Sequence, residues 1–297
     1  MNRRSVCLIG FGEVGQTLAR DLQTREVALS AWDLQFPDPD SQPSHALPGI
    51  GLRAATSAAD AIGGASVVVS AVTAADCLAA AATAAPLLGA GTYFLDLNSV
   101  SPATKVAAAS AIERGSGRYV EAAVMSPIQP DGTRSPILTG GPHAVAFLAV
   151  AQELGFTRMT VVADTIGRAS ATKMCRSVMI KGVEALLAES LLAARRYGVE
   201  EAVLESLGGV LPSKDWRALG SYMIRRSLQH GRRRAAEMRE VARTVHEAGI
   251  TPWMSEAAAA RQDWAADRRL PFGPEAIRPL LDAILATIDR ETGDRAC

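Results

Sequence analysis

Between Ala169 and Ser190 the chain is mostly Ala, Val, Leu, Met and Ile, and Lys173, Ser177, Lys181 and Glu184 recur within it at regular intervals. At spacings of four, four and three they form one narrow stripe along a helix, with Met174, Val178, Met179, Val183 and Leu186 covering much of the rest. A lysine in such a place is paired, lies on a wet helix edge, or is kept for proton transfer. An amine has an ordinary pKa near 10.4, and apolar neighbours or a second cation lower it, because desolvation disfavours the ammonium. The second candidate is "GFGEVG" at the start of the chain. Gly10, Gly12 and Gly15 stand in G-x-G-x-x-G order, with Phe11, Glu13 and Val14 between them. The first glycine permits a tight turn, the second lets a pyrophosphate approach the backbone, and the third lets a helix pack on its strand. The helix N-terminus then faces the phosphates. Asp33, 18 residues after Gly15, is placed to accept hydrogen bonds from an adenosine ribose and would repel a 2′-phosphate. The expected cofactor is therefore NAD, with NADP the alternative if a neighbouring arginine reverses the preference.

These groups need a scaffold, and the first 165 residues supply its pattern. Short apolar runs alternate with helical segments. "SVCLIGFG", "EVALSAWD", "GLRAATS", "SVVVSAV", "TYFLDLNS", "RYVEAAV", "SPILTGG" and "FTRMTVVAD" read as strands. "EVGQTLARDLQ", "ADAIGGA", "AADCLAAAATAAPLL", "SPATKVAAASAIERG" and "PHAVAFLAVAQELG" read as helices. Ser101 is the expected N-cap of one of them, with Pro102 at its first turn. Strands apolar on both faces predict a mainly parallel sheet covered on both sides. In such sheets ligands bind at the carboxyl ends of the strands. Val72 and Thr73 should thus lie against the cofactor, and Asn98 and Ser99 should reach the nicotinamide or the substrate. Plain turn and capping chemistry is the other reading of Asn98 and Ser99.

After Asp164 no convincing strand recurs. A helix from near Arg168 to Tyr197 should stop at Gly198. At 1.5 Å per residue it would be roughly 45 Å long. "EAVLESLGGVL", "DWRALGSYMIRRSLQH", "RRAAEMREVARTVHEAG", "PWMSEAAAARQDWAAD" and "PEAIRPLLDAILATIDRET" follow as separate helices. We expect domains at 1–165 and 166–297. The Pro-rich stretch Gln35–Gly49 reads as an irregular surface loop.

The chain of 297 residues is 48% hydrophobic and 21% charged, which suits a globular protein of one large or two ordinary domains. Lys plus Arg and Asp plus Glu both number 31, so no global field draws nucleic acid or acidic membranes. The local cluster "RRSLQHGRRR" (Arg225–Arg234) is either a solvated helix face or an anion site. Cys7, Cys77, Cys175 and Cys297 have no metal-type spacing, and Cys7 and Cys175 are expected in the core. His45, His143, His230 and His246 form no metal set. The scattered cysteines suit a reducing cytoplasm. "MNRRSVCLIGFG" mimics a signal peptide, but glycines interrupt its apolar run and no cleavage site follows. No apolar stretch reaches the ~20 residues of a membrane helix.

The motifs "GFGEVG", "LNSVSP" and "GRASATKMCRS", with "HGRRRAAEMREV" and "GITPWM" further on, resemble the β-hydroxyacid dehydrogenases over essentially the whole chain. That group includes 3-hydroxyisobutyrate and 6-phosphogluconate dehydrogenases, and the helical half looks closest to a phosphogluconate-dehydrogenase-like branch. The resemblance implies an α/β fold: an N-terminal Rossmann domain with a doubly wound sheet, then an all-α domain joined to it by a long helix. It implies an active site in the cleft between them and a dimer formed through the helical half, to which Trp216, Tyr222, Met223, Trp253 and Trp264 would contribute. Gly167 and Lys173 match the family's catalytic motif, and Ser177 stands where the motif has asparagine. Ser126 matches the serine of the family's substrate loop, while Pro127 and Ile128 replace its glycine pair. Arg233 and Arg234 stand where a Lys-Asp pair helps hold the substrate carboxylate. The implied activity is hydride transfer between NAD(P) and a small 3-hydroxy acid, with Lys173 as general acid and base; a decarboxylating variant, in the manner of some relatives, is an alternative. Ser177 would assist, and Lys181 would touch the substrate or pair with Glu184. An imine reductase of the same architecture usually lacks the lysine. A dinucleotide-binding protein without catalysis is the remaining alternative.

Overall fold

The structure is a computed structural model that describes residues 4–50, 52–210, 215–249, 251–268, 270 and 276–293. Cys297, Leu211 and the start of the last expected helix, Pro274 and Glu275, lie outside the described residues. The chain divides into two compact units, Met1–Met174 and Cys175–Cys297. The boundary expected at 165/166 falls just ahead of the long helix, whereas the division lies two turns into it.

The first unit is built on an eight-stranded sheet. Its strands are β1 (Arg4–Ile9), β2 (Val27–Trp32), β3 (Arg53–Ala54), β4 (Val67–Ser70), β5 (Tyr93–Asp96), β6 (Arg118–Val124), β7 (Ile137–Gly140) and β8 (Met159–Ala163). The order is β3-β2-β1-β4-β5-β6-β7-β8. All neighbours are parallel except β6 and β7, which run antiparallel. Alternate side chains leave opposite faces of a strand, and both faces are covered. Val6, Leu8, Val67, Val69 and Leu95 enter one core with Leu18, Leu22 and Phe147. Cys7, Ile9, Val68, Phe94 and Tyr119 enter the other with Ala81, Ala108 and Ile112. This is why the central strands read as continuous apolar runs.

Helices α1 (Glu13–Gln23), α2 (Gln42–Ala46), α3 (Ala58–Ile62), α4 (Cys77–Ala84), α5 (Pro102–Arg114) and α6 (Ala144–Glu153) connect the strands. Ser101 caps α5 by accepting from Thr104 N, with Pro102 in the first turn, as the sequence leads one to expect. The Pro-rich stretch is more ordered than expected. Ser41 caps the short α2 inside it, and Pro43 is buried.

The long α7 (Arg168–Tyr197) ends at Gly198, which has φ of +69°. The second unit continues with α8 (Glu200–Val210), α9 (Trp216–Glu247), α10 (Trp253–Asp267) and α11 (Ile277–Gly293), with no strand among its described residues. Leu187, Leu191, Leu204, Ile224, Leu280, Leu281 and Ile284 form its core. One expectation is corrected here. The two helices expected on either side of "QHG" are a single 32-residue helix, α9. Gly231 does not break it; a Cβ there would lie 2.4 Å from Gln262 O, so this glycine serves the close approach of α10. No described helix is long and apolar enough to cross a membrane.

Candidate active site

The glycine loop leaves β1 at Gly10 and enters α1 at Glu13. Gly10 has φ of +93°, and a Cβ on it would lie 2.4 Å from Ala71 O. A Cβ on Gly15 would lie 2.2 Å from Gly10 O. Gly12 is different: a Cβ there meets nothing within 4 Å. The first and third glycines are thus demanded by the turn and by helix packing, while the second keeps an open space against the backbone. Gly12 is also the N-cap of α1 and offers no side-chain cap, so the first-turn amides are left for an anion. These features fit a dinucleotide pyrophosphate. The loop is braced from within. Gln16 Nε2 donates to Phe11 O at 2.8 Å, and Phe11 is buried, edge-on to Phe36. Val14 packs on the core and Glu13 is exposed. Asp33, just past β2, accepts from Phe11 N at 2.7 Å and from Gln35 N at 2.9 Å. Its carboxylate is thereby held beside the loop, where ribose hydroxyls would meet it.

The next strand ends join this layer. A Cβ on Gly10 would come within 2.9 Å of Val72 Cγ1, and Val72 N donates to Asn98 Oδ1 at 2.8 Å. Thr73 Oγ1 donates to Asp76 Oδ2 at 2.5 Å, at the start of α4. Asn98 is buried and turned inward, with its Nδ2 donating to Ser70 Oγ at 2.9 Å. Asn98 is expected from the sequence to reach the cofactor; in the structure both ends of its amide tie the β4 and β5 loops together. Its neighbour Ser99 faces the other way. Lys173 Nζ donates to Ser99 Oγ at 2.5 Å, and both side chains are partly buried. The contact chain Gly10–Val72–Asn98 and the Ser99–Lys173 bond thus share one sheet edge, the carboxyl edge of the parallel strands.

Lys173 lies in the second turn of α7, and the start of that helix has a clear anchor. Glu121 on β6 is fully buried. Its Oε2 accepts from Gly167 N at 2.7 Å and its Oε1 from Ser170 N at 2.8 Å. Gly167 needs to be glycine here, with φ of +105°. Beneath the Asn98–Ser99 loop lies a second buried group. Lys105 Nζ contacts Asp96 Oδ1 at 2.9 Å and donates to Asp96 O at 2.8 Å; both side chains are fully buried. Tyr119 OH donates to Asp96 Oδ2 at 2.7 Å, and Asn98 N donates to Asp96 Oδ1 at 2.9 Å. Burial, with Asp96 adding to it, pushes the Tyr119 hydroxyl well above its ordinary range and the Cys77 thiol up to about 12. Sequence reading missed Gln16, Asp96, Lys105 and Glu121. For the last three the available signal was an ionisable residue inside an apolar run, since such residues are almost never fully buried without partners.

Ser126 follows β6, and its hydroxyl donates to Pro127 O at 3.0 Å. The remaining candidates lie in the helical unit, where each meets a partner of its own. Ser177 accepts from Lys181 Nζ at 3.3 Å. Lys181, expected to touch the substrate or pair with Glu184, pairs with Glu237 at 3.0 Å. Burial draws the Lys181 ammonium pKa down, against the pull of Glu237. Glu184 pairs with Arg234, and Arg233 pairs with Glu237 at 2.7 Å. Arg232 pairs with Asp263 and Asp267. The two arginines expected to form a carboxylate-binding fork, Arg233 and Arg234, thus each hold an internal carboxylate in this structure. Cys175 is exposed, not a core residue, while Cys7 is buried with its thiol pushed up to about 12. No group of three or more metal-ligating side chains occurs among the described residues.

Comparison with known proteins adds to this geometry. Residues 5–151 match a model described as the NAD binding domain of 6-phosphogluconate dehydrogenase. Residues 194–265 match a domain of unknown function, DUF1932. A conserved hypothetical protein from Sinorhizobium meliloti 1021 is 38% identical, with 96% of this chain and 97% of that one covered and a TM-score of 0.74. Conserved protein MTH1747, of unknown function but with reported structural similarity to 3-hydroxyacid dehydrogenases, is 35% identical. It covers 89% of this chain and 97% of its own, with a TM-score of 0.68. The 3-hydroxyisobutyrate dehydrogenase of Mycobacterium tuberculosis, solved with L-serine, shares the fold at 16% identity and a TM-score of 0.70, covering 96% of this chain and 99% of its own.

Proposed function

The chain belongs to the β-hydroxyacid dehydrogenase family, a group of NAD(P)-binding oxidoreductases, and we propose that it oxidises the hydroxyl carbon of a small 3-hydroxy acid, or reduces the matching carbonyl, with Lys173 as the proton-transfer group. The observation that carries this reading is the Lys173–Ser99 bond of 2.5 Å at the carboxyl edge of the sheet, the edge that also bears the glycine loop.

The bound nicotinamide supplies hydride acceptance or donation. The chain supplies the rest. Gly12 and the first-turn amides of α1 receive the pyrophosphate, and Asp33 receives the ribose hydroxyls, which favours NAD over NADP. Oxidation of a secondary alcohol leaves a hydroxyl proton to be removed, and reduction of a carbonyl needs one returned. A single amine beside the reacting oxygen can do both. Ser99 holds the amine in place by accepting from it, and its own O–H is free to donate to that oxygen. Ser126, at the end of β6, is proposed to touch the substrate.

Purified wild type and Lys173→Ala, assayed on a panel of 3-hydroxy acids with NAD and NADP in parallel, test the reading. Lys173→Ala is expected to keep cofactor affinity and lose turnover by ~100-fold or more, the lower end for a positioned acid–base group. Turnover of cyclic imines but not hydroxy acids would move the assignment to imine reduction. NADH binding with no turnover of either class would leave a binding protein.

A further inference from the structure

We propose that Glu121 is a positioning residue for the reaction: its buried carboxylate docks the first turn of α7 on the sheet and so holds the Lys173 amine at Ser99. The inference rests on the role given to Lys173 above. Asp96 and Glu121 are register partners in the parallel β5–β6 pair, so their side chains leave the same face of the sheet. Two carboxylates buried side by side need two counter-charges. Asp96 has Lys105 at 2.9 Å. Glu121 makes no ion pair among the described residues, and its two oxygens accept instead from Gly167 N and Ser170 N. The positive end of the α7 dipole is therefore its counter-charge. A buried carboxylate in that position is costly unless the helix start is where it is, so the electrostatics fix the register of the helix on the sheet.

The same pair of carboxylates sets both halves of the Lys173–Ser99 contact. Asp96, through Asn98 N, fixes the loop that carries Ser99. Glu121 fixes the helix turn that carries Lys173, which lies three residues beyond Ser170, about one turn. Gly140 keeps room for this arrangement, since a Cβ there would lie 3.0 Å from Glu121 Oε2. A glutamine at 121 would keep one acceptor but turn an NH2 group toward the second backbone N–H. The helix start would then shift or tilt, and the amine with it.

The test compares Glu121→Gln, Gly140→Ala and Ser99→Ala with wild type. Two quantities are read: kcat and KM, and the acylation rate of Lys173 in cofactor-free protein, followed by mass spectrometry. Glu121→Gln is expected to lower kcat by ~10–100-fold, the scale of an ångström-sized misplacement, with the KM for NAD within about 2-fold of wild type, since that site lies in the glycine loop. Lys173 should be acylated several-fold faster, as in Ser99→Ala. Gly140→Ala pushes the same carboxylate while leaving its charge, and should move both quantities in the same direction by less. Should Glu121→Gln not fold, Gly140→Ala decides. A folded variant that melts earlier but keeps wild-type kcat and wild-type Lys173 acylation would overturn the proposal, because Glu121 would then be a cap and nothing more. If wild type turns over no substrate, the functional reading falls, while the acylation comparison still decides whether Glu121 positions Lys173.

Discussion

A methyl group at position 12 separates binding from folding more cleanly than any other change in the glycine loop. Gly12 has open space where a Cβ would go, whereas Gly10 and Gly15 face backbone oxygens at 2.4 and 2.2 Å. Gly12→Ala is expected to leave the melting temperature close to wild type and weaken NADH binding by ~10–100-fold, the equivalent of a ~1–3 kcal/mol steric clash. Gly10→Ala should instead cost ~2 kcal/mol or more in stability, through its positive φ and its clash. Fluorescence titration and thermal melts of the two variants check the pair; equal loss of binding and stability in both would contradict this division of roles. The tight turn at Gly10 and the close packing at Gly15 were legible in the sequence because they follow from spacing within a single turn. The inward orientation of Asn98 was not, because it depends on Ser70 and Val72, which lie 28 and 26 residues away.

At the scale of elements, the buried Asp96–Lys105–Tyr119 group joins β5, α5 and β6 just below the Ser99 loop. Removing one partner of a buried pair strands the other charge, while replacing both by neutral groups is often tolerated. Lys105→Met is therefore expected to destabilise by ~3–5 kcal/mol, and the Asp96→Asn/Lys105→Met double variant to recover a good part of that in denaturant melts. A double variant as unstable as the single one would show that the pair is not acting as a charge pair. Helix and strand positions followed well from periodicity, down to the ends of α7. The join inside α9 did not, because a glycine that admits a neighbouring helix and one that ends its own helix look alike in one dimension.

On the scale of the whole molecule, we propose that the chain is at least a homodimer. Among the residues expected to contribute, Trp216, Met223 and Trp264 pack against the helical unit's own core. Trp253 and Tyr222 stay 75% and 55% exposed, and Met254 57%. Exposed apolar side chains on α9 and α10 are the kind that an interface covers. Light scattering coupled to gel filtration should give twice the 31.2 kDa chain mass or more, and Trp253→Glu should shift it toward the monomer. A monomer at micromolar concentration would count against the proposal.

The sequence by itself determined the sheet with its two apolar faces, the helical half, the glycine loop with Asp33, and Lys173 as the group to watch. Each of these is written in local spacing or in the apolar period of a single element. Only the tertiary structure decided which charged residues are already matched. Arg233, Arg234 and Lys181 find internal carboxylates, Asp96 finds Lys105, and Glu121 finds the start of α7. Those pairings form across strands and helices, where electrostatic compensation depends on distances that no sequence interval encodes.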